Sequence, residues 1–581
     1  MNNPVATQRR RFLQASLFAG GSGLSLADIL RQQAFAESKE GSTADTSVIQ
    51  IWLGGGPCRQ SEWNLISQEH NVRTMFSIFI LLAISIPVGI VAADPIDIGS
   101  RRELFVDQAL IERLDGRAEL RLHHPMPREV AITFEKPWEG NASGYPTVFQ
   151  DGDVYRMYYR GHRYIIDPPP LRQAQSEVVC YAESRDGVHW VKPNLGLFDW
   201  PPTMNNTGVK ENNILWRGGY ETHNFAPFKD TNPACPPDQR YKAVGGTTAS
   251  KGLLTFKSAD GIHWSKLSDG PVVTKGAFDS HNTVFWDPDR LRYAMYVRYF
   301  SEGEFKGLRS IGMSHSTDFK TWSEPVGLTY PNSPPQQMYT NQIAPYYRAP
   351  HLLFGFPTRF VARPLTEHAQ RLEPVETRAQ FAASVKGSDA YTGAEVTDGL
   401  IIASRDGQIF RRWDEAFLRP GPQAEGRWIY GDNYQSYGLF ETKADTAGLP
   451  NEISLHFNEG SWRDEMHRLR RYTIRLDGFV SLHAPLSGGE LTTKPLKFTG
   501  RRLSLNYATS AAGNLRVELQ DSAGQPISGF SLADADELFG DSIDQKVAWK
   551  NSTDVSRLAG QDVRLHFVLR DGDLFSIQFT D

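Results

Sequence analysis

From about residue 95 onward, hydrophobic and polar positions alternate in short runs that are rich in Tyr, Phe and Val. The runs 154–160 (VYRMYYR) and 293–298 (YAMYVR) are examples, and the first follows the turn-forming triplet Asp151-Gly-Asp153. Alternation with a period of two predicts half-buried strands, and a Gly-containing turn between two runs predicts a hairpin. The pattern therefore predicts an all-β protein.

A short phrase recurs four times, at intervals of roughly 60 to 90 residues, which indicates one supersecondary unit used repeatedly. It reads SRDGVHW from Ser184, SADGIHW from Ser258, STDFKTW from Ser316 and SRDGQIF from Ser404. Its place between a strand and a turn is typical of a β-propeller blade. Within the phrase, we expect Ser and Asp to close the turn on backbone amides, Gly to adopt positive φ and Trp to pack between blades.

Five clusters of polar and aromatic residues divide the segment 95–480 into five units. They are 139–145 (EGNASGY), 222–225 (THNF), 278–282 (FDSHN), 339–342 (YTNQ) and 430–435 (YGDNYQ). We expect a five-bladed β-propeller over 95–480, with these clusters near the axis, where the innermost strand of each blade lies. We call the five clusters the openings of the inner strands. A polar, strand-poor insertion at 361–395 interrupts the fourth unit.

The tail, 482–581, contains alternating segments at 503–507, 515–519 and 563–569, with turn signals such as Ala512-Gly513 and Asp571-Gly572. No helical periodicity is evident, so this pattern predicts that the tail forms a β-sandwich of about 100 residues.

The N-terminal region carries two export signals in series. Residues 8–13 (QRRRFL) are close to the twin-arginine pattern, and the uncharged apolar run 75–93 predicts a cleavable signal peptide or a transmembrane segment. Because two export devices in series make little physical sense, we expect 1–74 to be a fused leader remnant or an over-extended gene start, with Met75 the functional start. The protein is then periplasmic or secreted, or is anchored to the membrane by 75–93.

Charge and cysteine content narrow the function classes. The 62 Lys and Arg nearly balance the 67 Asp and Glu, so we expect no nucleic-acid partner, and membrane contact only through 75–93. Cys58, Cys180 and Cys235 lack CxxC spacing, which argues against a zinc site or a disulfide framework. A single Cys180–Cys235 bridge and two free thiols both stay open.

A five-bladed propeller with a C-terminal β-sandwich resembles the clan of glycoside hydrolases that includes families 32, 43, 62, 68 and 117. The resemblance covers about 95–581 and rests on the blade count, the Ser-x-Asp-Gly-x-x-Trp phrases and the acidic residues at the openings of the inner strands. Exported bacterial proteins of the family-32-like and family-43-like kind are especially similar. The Trp-Met-Asn-Asp-Pro-Asn-Gly and Glu-Cys motifs of family 32 are absent, so the substrate does not carry over. Separately, residues 1–58 resemble the start of exported proteins distantly related to alkaline phosphatases and sulfatases, without their catalytic machinery.

Glycoside cleavage needs one protonated carboxyl group and one ionised carboxylate. The resemblance implies that these groups come from inner strands near the axis, often with a third carboxylate that tunes the pKa of the acid. The openings offer Asp279 as base or nucleophile, Glu139 as general acid and Asp432 as modulator, with roles that can be exchanged. Glu459 and Glu177 are reserves.

Polar side chains around these carboxylates are candidate sugar-binding groups: His223, Asn224, His281, Asn282, Asn341, Asn433, Gln435 and Arg298. Arg160, Arg298 and Arg359 end strands and would suit a carboxylated or sulfated sugar. Alternatively, the polar openings form an inert axial network of hydrogen bonds and water.

The sequence thus predicts an exported glycoside hydrolase that acts on a poly- or oligosaccharide. The alternative is a non-catalytic carbohydrate-binding propeller, favoured by the missing family 32 motifs, while a sulfatase or phosphatase rests only on the first 58 residues. Carbohydrate is the expected partner. No cofactor is expected apart from an axial calcium ion, which the clan allows although no EF-hand-like spacing supports it.

Overall fold

The computed structural model describes residues 94–201, 208–303, 305–372, 375–387, 391–424 and 426–581. The predictions for the leader, 1–74, and for the apolar run, 75–93, lie outside these residues. In the described part of the chain, no helix combines the length and apolar character needed to cross a bilayer. Strands dominate, which confirms the all-β expectation.

Five antiparallel sheets follow one another along the chain, and the first strand of each begins at or just after one of the polar clusters. Sheet 1 contains Gly144–Asp151, Val154–Gly161, Val178–Ser184, Trp190–Val191 and Ile214–Arg217. Sheet 2 contains Ala226–Lys229, Tyr241–Thr247, Gly252–Ser258 and Ser265–Lys266. Sheet 3 contains Thr283–Asp287, Arg292–Phe300, Arg309–Ser316 and Val326–Gly327. Sheet 4 contains Ala344–Tyr346, Ala349–Gly355, Ile402–Ser404 and Arg411–Arg412.

Sheet 5 is completed by a strand from the other end of the described chain. It contains Phe440–Thr442, Glu452–Glu459 and Arg468–Arg475, and its fourth strand is Met126–Thr133, which pairs with Arg468–Arg475. The hairpin predicted after Asp151 is confirmed by the pairing of Asp151 with Val154.

The first strands of successive sheets contact one another. Gly144–Asp151 contacts Ala226–Lys229, which contacts Thr283–Asp287, which in turn contacts Ala344–Tyr346. Phe440–Thr442 contacts Gly144–Asp151, and a parallel bridge between Thr147 and Tyr437 joins the openings of sheets 1 and 5. The openings of the five sheets are therefore brought towards a common region.

A ten-stranded sheet contains strands from the tail and from the start of the described chain. Its strands are Ile96–Gly99, Glu103–Leu104, Ile111–Gly116, Glu119–Leu122, Val480–Ala484, Gly489–Thr493, Leu496–Phe498, Arg502–Asp521, Asp541–Lys546 and Val563–Thr580. The boundary predicted at residue 95 places the first four strands in the propeller. They instead pair with tail strands and share their apolar core, because Ile98, Phe105 and Leu110 pack among tail residues such as Leu505 and Phe567.

The remaining elements are short. Gln337–Met338, Thr358–Val361 and Val396–Gly399 form a three-stranded sheet, and Tyr164–Ile165 pairs with Arg172–Gln173. The α-helices Glu367–Gln370 and Val375–Ser384 lie in the insertion that the sequence predicted as strand-poor. Single 3-10 turns occur at Tyr220–Thr222, Pro237–Gln239, Thr248–Ser250 and Ser556–Leu558.

The repeated phrase is structural, as expected. In the first copy, Ser184 Oγ accepts the backbone N–H of Gly187 at 2.9 Å, and Asp186 Oδ1 accepts the N–H groups of Val188 and His189 at 2.8 Å. Gly187 has a φ of 75°. The copies at Ser258 and Ser404 bond in the same way.

Neighbouring sheets are also joined at the phrase. The Tyr158 hydroxyl of sheet 1 donates to the Gly261 carbonyl at 3.0 Å, and the Tyr296 hydroxyl of sheet 3 donates to the Gly407 carbonyl at 2.9 Å. Of the cysteines in the described part, Cys180 and Cys235 are both free, which settles the alternative left open by the sequence.

Candidate functional site

A cavity of about 250 Å³ lies where the polar clusters meet. Four clusters contribute lining residues, among them Tyr145, Asp279, Tyr339 and Tyr430. The remaining cluster reaches the same place through His223, whose Nε2 lies 3.0 Å from Oδ1 of Asp279. All five openings therefore converge on one site.

Asp279 is the only carboxylate among the described residues that line the cavity, and its side chain is 60% exposed. Partial desolvation raises the pKa of this carboxyl. The hydrogen bond from His223 and the positive charges of Arg298 and Arg160 outweigh that effect and hold the pKa below its usual range. Asp279 is consequently ionised at neutral pH and open to a ligand.

His223 lies between two carboxylates. Its Nδ1 lies 2.8 Å from Oε2 of Glu177, on the side opposite Asp279, and the backbone N–H of Asn224 donates to Oε1 of Glu177 at 3.2 Å. Burial lowers the pKa of His223, but the charge of Glu177 and the hydrogen bonds to both carboxylates raise it to about 9. The ring is therefore an imidazolium at neutral pH, and both of its N–H groups donate to a carboxylate.

Glu177 is held ionised as well. Burial raises its pKa, while the charge and hydrogen bond of His223 and the charge of Arg160 lower it to about 2. Arg160 NH1 donates to Oδ1 of Asn224 at 3.0 Å and lies 3.9 Å from Glu177. The site thus holds an ordered alternation of charges that ends at the exposed carboxylate of Asp279.

Eight of the 19 described residues that line the cavity are Tyr, Phe or Trp. Tyr145, Tyr339, Tyr430 and Tyr434 come from the openings, and the Tyr430 hydroxyl donates to that of Tyr339 at 2.6 Å. The guanidinium carbon of Arg298 lies 3.9 Å from the centre of the Tyr339 ring. Rings of this kind offer apolar faces and hydroxyl groups together, which suits the mixed surface of a sugar.

Glu139 does not lie in the cavity, contrary to the acid role that the sequence predicted for it. Its side chain is fully buried, where Oε2 accepts Lys192 Nζ at 2.7 Å and Oε1 accepts the Tyr159 hydroxyl at 2.6 Å. The backbone N–H of Lys136 also donates to it at 2.9 Å. A carboxylate that is enclosed and bonded in this way anchors the opening of sheet 1 and has no access to a substrate.

Asp432 and Glu459 also fall outside the cavity lining. Asp432 is 2% exposed, and its Oδ1 accepts the backbone N–H of Ser461 at 2.8 Å, so it fixes the loop beside the cavity. Glu459 accepts Arg468 at 3.0 Å and Arg470 at 2.8 Å. Of the three carboxylates assigned to catalysis, the cavity therefore retains Asp279 alone.

The predicted binding amides and imidazole mostly hold the loops in place. Asn282 accepts the backbone N–H of Arg298 at 3.1 Å, Asn341 accepts the Thr283 hydroxyl at 2.7 Å, and Asn433 donates to the Thr397 carbonyl at 2.9 Å.

His281 is enclosed against Gln342, and burial together with the charge of Arg160 lowers its pKa to about 3. The Gln435 carbonyl accepts Gln342 at 2.7 Å, and Arg359 pairs with Asp398. Hydrogen bonds among His281, Gln342 and the Gln435 carbonyl thus join the openings here, and the inert axial network stays an alternative.

Sequence reasoning undervalues Glu177 and omits the tyrosines of the cavity wall. Glu177, only a reserve, is the second partner of His223. The predicted site residues do not include the tyrosines, although Tyr145, Tyr339, Tyr430 and Tyr434 lie in three of the polar clusters. A tyrosine repeated at the openings was the signal that could have found the cavity wall. No group of three or more His, Cys, Asp or Glu side chains in the described ranges is arranged to hold a metal ion, and the axial calcium stays a prediction.

Comparison with known proteins gives partial matches. No family model matches the chain. Uncharacterised proteins of two Mycobacterium tuberculosis strains, ATCC 25618 / H37Rv and CDC 1551 / Oshkosh, are each 28% identical over 152 residues, which is 26% of this chain and 40% of the mycobacterial protein. The chain thus spans less than half the length of these curated relatives.

Solved structures with similarity to the chain include carbohydrate-active enzymes. An N-acetylgalactosamine deacetylase from F. plautii is 13% identical, with a TM-score of 0.36, and the match covers 62% of this chain and 96% of that one. An α-L-arabinofuranosidase catalytic domain from Coprinopsis cinerea is 10% identical, with a TM-score of 0.35 and coverage of 61% and 97%. A fructofuranosidase from Schwanniomyces occidentalis is 12% identical, with a TM-score of 0.33 and coverage of 78% and 98%. Values at this level say nothing about the reaction or substrate of this chain.

Proposed function

We propose that the protein is an exported glycoside hydrolase, with Asp279 as the base or nucleophile. The observation that carries this proposal is the convergence of all five openings on one aromatic-walled cavity that contains an exposed, ionised carboxylate. In the same proposal, the five successive sheets are the blades of a five-bladed β-propeller, and the ten-stranded sheet forms a β-sandwich.

Asp279 has the properties that the reaction requires of its ionised partner. A base or nucleophile has to be unprotonated at the working pH and within reach of the substrate. The His223 imidazolium and the Arg298 and Arg160 guanidinium groups supply the first condition, and the exposure of Asp279 supplies the second. Glu177 keeps His223 charged, and the charged ring in turn keeps Asp279 ionised.

His223 is a positioning residue and not the general acid. The two catalytic groups of a glycosidase are about 5–5.5 Å apart in retaining enzymes and about 6.5–9.5 Å apart in inverting ones. His223 Nε2 and Asp279 Oδ1 are 3.0 Å apart, which leaves no room for a glycosidic bond between them. The imidazolium therefore serves to orient and ionise the carboxylate.

A non-catalytic sugar-binding protein is the second candidate. It is favoured by one observation, the presence of a single carboxylate among the described residues of the cavity lining. The aromatic wall would serve binding equally well.

A substrate panel separates the two candidates. The mature protein is incubated with aryl glycosides and with plant and algal oligosaccharides, and sugar binding is measured in parallel by calorimetry. The hydrolase proposal expects products from at least one sugar that also binds. Binding without any product would establish the second candidate, and neither binding nor product would rule out both.

A further inference from the structure

Two chain connections meet at the cavity wall, and we call their junction the arch. One foot is Leu171, in the connection between the second and third strands of sheet 1. The other consists of Phe381 and Val385, in and just after the helix Val375–Ser384 of the insertion. The two feet meet where the backbone N–H of Leu171 donates to the Ser384 carbonyl at 2.8 Å. Leu171, Phe381 and Val385 all line the cavity, so this junction is part of its wall.

The insertion foot is fastened to the opening of sheet 5. The Phe381 ring packs on Trp462 with ring centres 4.9 Å apart, and Tyr391 packs on Tyr430 at 5.2 Å. Arg378, which is 1% exposed, donates to the Gly393 carbonyl at 3.0 Å and joins the helix to the end of the insertion. These contacts hold the described part of the insertion against the opening of sheet 5.

Asp279, whose side chain is 60% exposed, is the only exposed residue of the described cavity lining, so the cavity opens to solvent beside it. The volume of about 250 Å³ lies below the range of about 300–1,000 Å³ that pockets for drug-sized ligands span, which favours a small ligand such as a single sugar ring. A glycan that enters at Asp279 meets the arch after a short distance and cannot continue beyond it. A groove for internal cleavage would instead have to be open at both ends.

We propose that the cavity receives the non-reducing end of a short oligosaccharide, so that terminal sugar units are released and internal bonds are not cut. This inference rests on the proposed hydrolase function. The terminal ring lies under Leu171, Phe381 and Val385, its faces contact the tyrosines, and the bond to be cut lies at Asp279. Water adds across that bond. The anomeric carbon of the released sugar takes the hydroxyl group, while the glycosidic oxygen stays with the remaining chain and takes the proton.

The first test follows the products of oligosaccharides of four to six units that carry a fluorescent label at the reducing end. Terminal action predicts that early samples contain labelled chains shorter by a single unit, with further shortening in order. A mixture of internal fragments in the earliest samples would overturn the inference while leaving the hydrolase function intact. No product from any oligosaccharide or aryl glycoside would overturn both.

The second test fills the space beneath the arch. In Val385→Trp, the larger side chain is expected to occupy the ring site and raise KM for the active sugar by about tenfold or more. Lys386→Trp is the matched control, because Lys386 is the exposed neighbour, and its KM should stay within about twofold of wild type. Melting temperatures of both variants check folding. Equal KM values in two folded variants would contradict the placement of the terminal ring.

Discussion

Nε2 of His223 lies 3.0 Å from Oδ1 of Asp279, the exposed carboxylate of the cavity. The imidazolium is itself held by Glu177 on its other side. A positive group fixed between two carboxylates favours the ionised form of both. This relation turns a surface-accessible aspartate into a carboxylate that stays charged and oriented.

The first prediction concerns Glu177. In Glu177→Gln the negative charge that raises the pKa of His223 is lost, so this pKa should fall well below about 9. The ring titration can be followed by NMR of histidine-labelled protein, with His223→Gln to assign the signal. Glu459→Gln is the control, because Glu459 is a buried carboxylate paired with Arg468 and Arg470 away from His223. An unchanged titration in Glu177→Gln would show that Glu177 does not charge the ring.

The second prediction is a dependence of stability on pH. The folded pKa of His223 is raised to about 9, above the unfolded value of about 6.5, so its contribution is complete below about 6.5 and is lost as the pH rises through about 9. Urea unfolding at pH 6 and pH 10 should therefore show a larger loss for wild type than for His223→Gln. Lys and Tyr residues titrate in both proteins, so the difference isolates His223. Equal losses would contradict the raised pKa.

The third prediction separates anchoring from catalysis at Glu139. Glu139→Ala leaves the ammonium of Lys192, a side chain only 13% exposed, without its carboxylate, and should lower the free energy of unfolding by about 3–5 kcal/mol. Since Glu139 has no access to the cavity, kcat/KM of the folded variant should stay within about threefold of wild type. A large loss of kcat at unchanged stability would restore the acid role.

Much of the fold follows from local patterns in the sequence. The alternation near Tyr155 and the phrase at Ser184 each depend on neighbouring residues, so strands and turns could be predicted from them. The strand Met126–Thr133 could not be placed, because its partner Arg468–Arg475 is more than 300 residues away and either edge of a sheet would suit its pattern.

The site was only partly predictable for a related reason. Asp279 and Glu139 both stand in polar clusters, and nothing local distinguishes an exposed carboxylate from an enclosed one. The difference arises from Lys192 and Tyr159, which reach Glu139 from other segments, and from His223, which reaches Asp279. The position of the cavity could thus be predicted from the clusters. Which carboxylate faces the cavity depends on tertiary contacts, which local sequence does not show.

The fourth prediction distinguishes the ring of Tyr430 from its hydroxyl. Tyr430→Phe removes the bond to the Tyr339 hydroxyl but keeps the wall, so sugar affinity should fall by less than about fivefold. Tyr430→Ala removes the ring from the cavity wall and should weaken binding by about tenfold or more. Calorimetric titration with the sugar found in the panel measures both. Equal losses in the two variants would show that the hydroxyl, and not the face, contacts the ligand.

The most direct measurement compares kcat of Asp279→Asn with that of wild type on the best substrate of the panel. Asp186→Asn is the matched control, since Asp186 is a carboxylate of the turn phrase outside the cavity lining. If Asp279 is the base or nucleophile, its variant should lose kcat by about 1,000-fold or more while it still binds the sugar and the control stays near wild type. An Asp279→Asn protein that hydrolyses the substrate at close to the wild-type rate would contradict the central claim.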